Sequence, residues 1–217
     1  MKKPPNKFVF KRREPEIPSR LTTIDAFPDP DDVYLSECHL EGLRLDAPTD
    51  APLRIESSLL NRVNLANNRF STILWKDLRL TNCDLANLET RSLTLIRVEF
   101  INCRMTGLRA TEAECQDVLI SEGDLRYTQF RYAKFKAAEF DTCNFEEADF
   151  LGADLSGSIF RKCNLQNAEM NKVKLVNADL RTSNVEGLHL RAEDVRGAVV
   201  DLTQAMLFAP LLGIRIE

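Results

Sequence analysis

The chain has 217 residues, is 44% hydrophobic and 29% charged, and carries a formal net charge of −4, which suits a single domain of ordinary size. No stretch approaches 18 consecutive apolar residues, which excludes a transmembrane helix. The basic start MKKPPNKFVFKRRE is not followed by an apolar run, so it does not read as a secretory leader. The expectation is a cytoplasmic protein whose six cysteines are reduced thiols.

Charge is unevenly spread. Residues 1–20 hold seven Lys or Arg and two Glu, while the remainder of the chain sums to −9. Residues 1–32 contain most of the prolines and no sustained periodicity, and read as a basic, Pro-rich tail. Its first 20 residues are expected to be disordered, and 21–32 to approach and cap the region that begins at residue 33. A basic tail of this kind can touch nucleic acid or anionic lipid.

From residue 33 a period of five sets in, at Leu35, Leu40 and Leu45. DAPTDAPLR (46–54) interrupts it with two prolines and an aspartate, Asp50, at an apolar position, and is expected to be a loop. The register resumes at Ile55 and runs through Trp75 and Phe100 to Cys115, with Thr90 the polar exception. Small residues at Thr90 and Ala110 are matched by large ones two positions earlier, Leu88 and Leu108, as close packing of a fixed volume requires. From Ile120 to Val200 every fifth residue is apolar without exception, 17 in succession. At this composition chance would give that run about once in a million trials, so it marks a repeat architecture. Two residues before each stands a small one for most of the run (Ala133, Cys143, Ala153, Ser158), and between them Asp or Asn (Asp124, Asn144, Asp154).

Neither common element has this period. A helix would scatter fifth residues around its axis, and a strand would put them on alternate faces. A chain that turns a corner every five residues places both apolar positions on one extended side, and its coils must stack to bury them.

The run ADLSG at 153–157, with ADFLG, CNLQN and ADLRT beside it, resembles the pentapeptide-repeat family. The resemblance implies an all-β fold: a right-handed quadrilateral β-helix with 20 residues per coil, covering about residues 33–200. After it, residues 201–217 lose the period. Asp201 can cap a short helix over about 202–209, with Gly213 as terminator. Leu202, Met206, Leu207, Leu211 and Leu212 offer more apolar surface than a small cap needs, and resemblance to family C-termini implies a homodimer through them.

No phosphate loop, nucleophile motif or HExxH pattern is present, so neither catalytic residues nor a cofactor are expected. Cys83, Cys103, Cys143 and Cys163 differ by multiples of 20 and should form a buried column with Gly123 at its missing rung. That is a packing role, since a linear ladder does not converge tetrahedrally as a zinc site must. His39 and His189 fall at outward positions far apart. Three surface features remain as candidates for binding a partner. Arg126, Tyr127, Arg131 and Tyr132 interleave bases and aromatics. Glu146 and Glu147 begin an acidic ridge. Asp46, Thr49 and Asp50 lie in the expected loop. The reading is a non-enzymatic protein-binding scaffold with a rigid, moderately acidic surface. The alternative, from resemblance to the Qnr-like quinolone-resistance branch, is a DNA mimic that binds DNA gyrase or another topoisomerase.

Overall fold

A computed structural model of the protein describes residues 11–28, 33–46 and 50–216. The described chain is a parallel β-solenoid of about seven turns closed by one short C-terminal α-helix. Its strands are β1 (Thr22–Ile24), β2 (Val33–Ser36), β3 (Cys38–Glu41), β4 (Ala51–Asn61), β5 (Arg69–Thr81), β6 (Glu89–Ile101), β7 (Glu114–Ser121), β8 (Lys134–Lys136), β9 (Glu139–Asp141) and β10 (Ile159–Arg161). Pairings are parallel and, from β2 onward and apart from one bulge at Ala51, step by 20 residues, as in Leu60↔Leu80, Leu80↔Phe100, Phe100↔Ile120, Ile120↔Phe140 and Phe140↔Phe160; β1 meets β3 at a step of 16, as in Thr22↔Cys38. Where strands shorten to single bridges the step persists, from Arg44↔Asn64 through Asp124↔Asn144 to Asn164↔Asn184. Fifth residues therefore fall into four inward columns, one per side of the coil.

Each position of the repeat has a separate physical duty, well seen at 123–128. Leu125 points inward, and its amide donates to Asn144 O of the next coil (2.7 Å), while the Asp124 amide donates back to Cys103 O (3.1 Å). The Asp or Asn before the apolar residue accepts the amide two positions on, as Asn144 does from Glu146 (3.1 Å) and Asp154 from Ser156 (3.1 Å). That side-chain turn starts the corner. The Thr128 amide then closes it on Leu125 O (3.3 Å), with Tyr127 held at φ 60°. Corners recur in this left-handed conformation at residues as unsuited to it as Tyr132, Lys162 and Thr182. Each costs about 1 kcal/mol or more in a residue with a Cβ, so the coil depends on its neighbours to offset it.

The interior is filled by side chains except for one small void. Phe130 stacks on Phe150 (centroids 5.7 Å) and Phe140 on Phe160 (4.6 Å), and Phe145 meets Phe140 edge-on at 5.3 Å. The exchange of volume at Thr90 is incomplete. A void of about 20 Å³ remains among Trp75, Leu88, Thr90, Leu93, Met105 and Leu108, and the buried Trp75 Nε1 has no hydrogen-bond partner.

Both ends of the described solenoid are covered. At one, β1 lies on β3, with the Thr22 amide donating to Glu37 O (2.9 Å). At the other stands α1 (Leu202–Phe208), started by a capping box between Asp201 and Gln204. The Gln204 side chain is buried and donates to Leu180 O (2.7 Å) and Ser183 O (2.8 Å). Gly213 ends the following 3-10 turn at φ 72°.

Two expectations are corrected. The segment 46–54 is not a loop throughout: β4 begins at Ala51. Ala51 takes the inward place opposite Phe70, and a bulge between Ala51 and Pro52 restores the step of 20 at Leu53↔Ile73. Asp50 is thereby displaced one residue outward, and the coil keeps its length. Residues 11–20, expected within a disordered tail, lie against the side of the solenoid instead, because buried carboxylates there bind them. The Arg12 guanidinium reaches Glu99 (2.9 Å), and the Arg13 and Glu16 amides donate to Asp117 (3.1 Å) and Asp77 (2.9 Å).

Candidate interaction surface

The cysteine column is as the spacing predicts: Cys83, Cys103, Cys143 and Cys163 are all buried. Each thiol donates to a carbonyl one coil back, Cys143 to Ile120 O (3.2 Å) and Cys163 to Phe140 O (3.5 Å), and Ser183 does the same to Phe160 O (3.2 Å) on the next rung. The Cys83 thiol together with burial pushes Cys103 up, the Cys163 thiol and burial do so for Cys143, and burial raises Cys115. Cys103, Cys115 and Cys143 are therefore poor nucleophiles, while Cys83 and Cys163, held low by the thiols of Cys103 and Cys143, are buried like the rest. Among the described residues no three His, Cys, Asp or Glu side chains converge as a metal ion would require.

On the outer faces the anticipated basic patch is largely neutralised by its neighbours. Arg126 forks onto Asp124 (2.9 and 2.8 Å) and Arg131 bonds Asp149 (2.6 Å). The Asp124 side chain holds the Arg126 guanidinium above its ordinary range and is itself held low by it. Tyr127 and Tyr132 are half exposed on adjacent corners, and Gly152 leaves room for the Tyr132 ring. Glu146 and Glu147 stand one coil beyond Arg126 and Tyr127 on the same corner.

Asp46 is exposed and pairs with Arg44 (2.8 Å), Asp50 bridges Arg91 (2.8 Å) and Arg69 (3.4 Å), and Thr49 lies outside the described residues. This segment shares a side of the coil with Arg126 and Tyr127 but is four rungs away, about 19 Å at the usual strand spacing. The structure thus places the loop candidates and the Arg126–Tyr132 group as two separate patches. Leu202, Met206, Leu207, Leu211 and Leu212 are all exposed at the C-terminal end.

One surface went unread in the sequence. Asp77, Glu99 and Asp117 are each under 5% exposed although they face outward from the columns. Residues 11–17 cover them. Asp117 takes the Arg13 amide and its guanidinium (2.9 Å), and Arg97, on the rung between, forks onto Asp77 (2.5 and 2.6 Å). Burial alone would raise Asp77, but the Arg97 guanidinium and the Glu16 amide outweigh it and hold the carboxyl below its ordinary value. Asp117 is held low against the same burial by the Arg13 amide and side chain. A usable signal was present: 77, 97 and 117 are one column of corners, and all three are charged.

Two family models match the sequence, a pentapeptide repeat region over residues 73–150 and pentapeptide repeats (8 copies) over 148–187. Together they span just over half of the chain. The chain belongs to the pentapeptide-repeat family. No curated protein matches it in sequence. Among solved structures, this pentapeptide-repeat protein is similar to a trypsin-treated variant of QnrB1, a plasmid-mediated fluoroquinolone resistance protein, at 16% identity and TM-score 0.37, covering 84% of this chain and 99% of that one. HetL from the cyanobacterium Nostoc sp. strain PCC 7120, a pentapeptide repeat protein involved in heterocyst differentiation regulation, gives 16%, TM-score 0.32, and 79% and 88% coverage. Rfr23 from the cyanobacterium Cyanothece 51142 gives 16%, TM-score 0.18, and 79% and 92% coverage.

Proposed function

We propose that this pentapeptide-repeat protein is a non-enzymatic scaffold that binds another protein along its side. The observation that carries the reading is the filled interior. Inward positions from Val33 to Leu190 are occupied by stacked side chains, so recognition rests with the outer faces, whose spacing the coil fixes. The half-exposed Tyr127 and Tyr132 on consecutive corners are the contact residues we assign first, because rigid aromatic rings lose little entropy when covered. The exposed C-terminal leucines support a second role, joining two copies end to end.

The test is affinity capture with wild-type protein and with Tyr127→Glu/Tyr132→Glu, followed by a supercoiling assay with DNA gyrase and a fluoroquinolone. A partner held by the wild type and lost by the variant supports the assignment. Equal capture by both refutes the tyrosine face. Restored supercoiling at low micromolar protein would name a topoisomerase as that partner. The acidic balance of residues 21–217 is the feature that favours this second reading, since a DNA-binding groove attracts negative surface.

A further inference from the structure

Residues 11–17 run along the solenoid axis, across the rungs instead of with them. The Arg13 amide is bound at the level of Asp117 and the Glu16 amide at the level of Asp77. Those levels are two coils apart, about 9.6 Å at the spacing of paired strands, and three residues of extended chain cover about 10 Å. The two repeats are therefore commensurate: an extended peptide laid on this side meets every second rung with every third residue.

The way the segment is held is also general. Asp77 binds it through a main-chain amide, and Asp117 through a main-chain amide and a guanidinium. Glu99 binds a second guanidinium, that of Arg12, and is braced from the other side by Arg79 (2.8 Å). What the strip reads is an extended backbone bearing two consecutive arginines. Lys11, Arg13, Glu14 and Glu16 are exposed and Arg12, Pro15 and Ile17 half-buried, so the segment is held at the surface, in an attachment of the kind that opens without unfolding the core. Carboxylates that are buried yet ionised need such a partner, since burial penalises their charged form.

We propose that Asp77, Glu99 and Asp117 form a binding strip for an extended, arginine-bearing segment of a partner protein, and that residues 11–17 are its resident occupant, which a partner segment displaces. This rests on the scaffold reading and names one surface of it. Recognition follows from charge-assisted hydrogen bonds at a fixed pitch, and the intramolecular occupant lowers the apparent affinity for any other by the fraction of time it stays in place.

The experiment uses the full-length chain and a fluorescein-labelled peptide of residues 8–20, read by fluorescence anisotropy. Three proteins are compared: the wild type, Arg12→Ala/Arg13→Ala, and the latter with Asp117→Asn added. The double variant should bind the peptide at least about tenfold more tightly than the wild type, because its own segment no longer competes. Adding Asp117→Asn should abolish that gain, and a peptide with alanine at both arginines should not bind. Absence of binding to the double variant, or equal binding of the alanine peptide, overturns the proposal. Circular dichroism verifies the fold of each variant. Hydrogen exchange on the wild type supplies an independent reading. The Arg13 and Glu16 amides should exchange at least about 100-fold faster than those of Phe145 and Phe160; exchange as slow as the core overturns release. Failure of the peptide assay with partner capture intact removes this strip alone, whereas loss of capture removes the scaffold reading.

Discussion

Gly123 occupies the one rung of the column from Cys83 to Cys163 that carries no side chain, so repeat logic recommends filling it. Gly123→Ala should instead destabilise the protein. Gly123 is not at a left-handed corner, and a Cβ there would sit 2.8 Å from Leu125 Cδ1 and 2.9 Å from Ile120 Cγ2. The leucine methyl can swing away. The isoleucine methyl cannot, because it branches from a Cβ fixed in β7 and χ1 of a β-branched residue is stiff. Overpacking of this kind costs about 1–3 kcal/mol, against about 0.4–1 kcal/mol gained by restricting the unfolded chain. The net loss is about 1–2 kcal/mol, which lowers the melting temperature of a chain this size by about 2–8 °C. Thermal unfolding followed by circular dichroism measures it directly. An unchanged or raised melting temperature would show that the coil relaxes to accept the methyl, and that packing around Ile120 does not limit the column.

Static light scattering at micromolar concentration should return about twice the 24.7 kDa chain mass, and Leu207→Arg/Leu212→Arg should return one chain mass; a monomeric wild type refutes the end-to-end pairing. Asp77 and Asp117 have folded-state values below the ordinary 3.8. Their contribution is therefore complete above that value and is lost as the pH falls through the lower folded one. The amide shifts of Arg13 and Glu16 should accordingly titrate with midpoints below 3.8, and midpoints at or above it would refute the assigned bonds.

The coil was legible because its rules act within five residues. Apolar side chain, turn-forming Asp or Asn, and small neighbour are all local, and their recurrence fixes which residues stack. The buried cysteines follow from the same count, and the Asp201 cap from a rule that is equally local. The failures lie where the rule is not local. At Asp50 the sequence shows a polar residue at an inward position. That Ala51 steps into its place, with a bulge before Pro52, depends on Phe70 in the next coil. Arg13 and Asp117 are 104 residues apart. Composition around Arg13 describes how it would behave alone, and nothing near it reveals that Asp77, Glu99 and Asp117 await a partner on one side of the solenoid. The candidate tyrosines were found by pattern, but the ion pairs that quiet Arg126 and Arg131 come from Asp124, two residues away, and Asp149, almost a full coil away.

The left-handed corners bear on how such a molecule is assembled. A lone coil would carry several corners of unfavourable backbone with no rung above or below to bond its amides, so it has no stable existence. Formation must begin from coils already stacked and proceed by addition to an open edge, as a filament grows from its nucleus. An edge that accepts the next coil of its own chain will as readily accept a strand from another. Gln204 answers that hazard at the C-terminal end. Its side-chain amide bonds the Leu180 carbonyl and also occupies that of Ser183, the place at which Cys163 O takes the Asn184 amide of the following coil, so an acceptor that further growth would have used is already filled where the molecule stops.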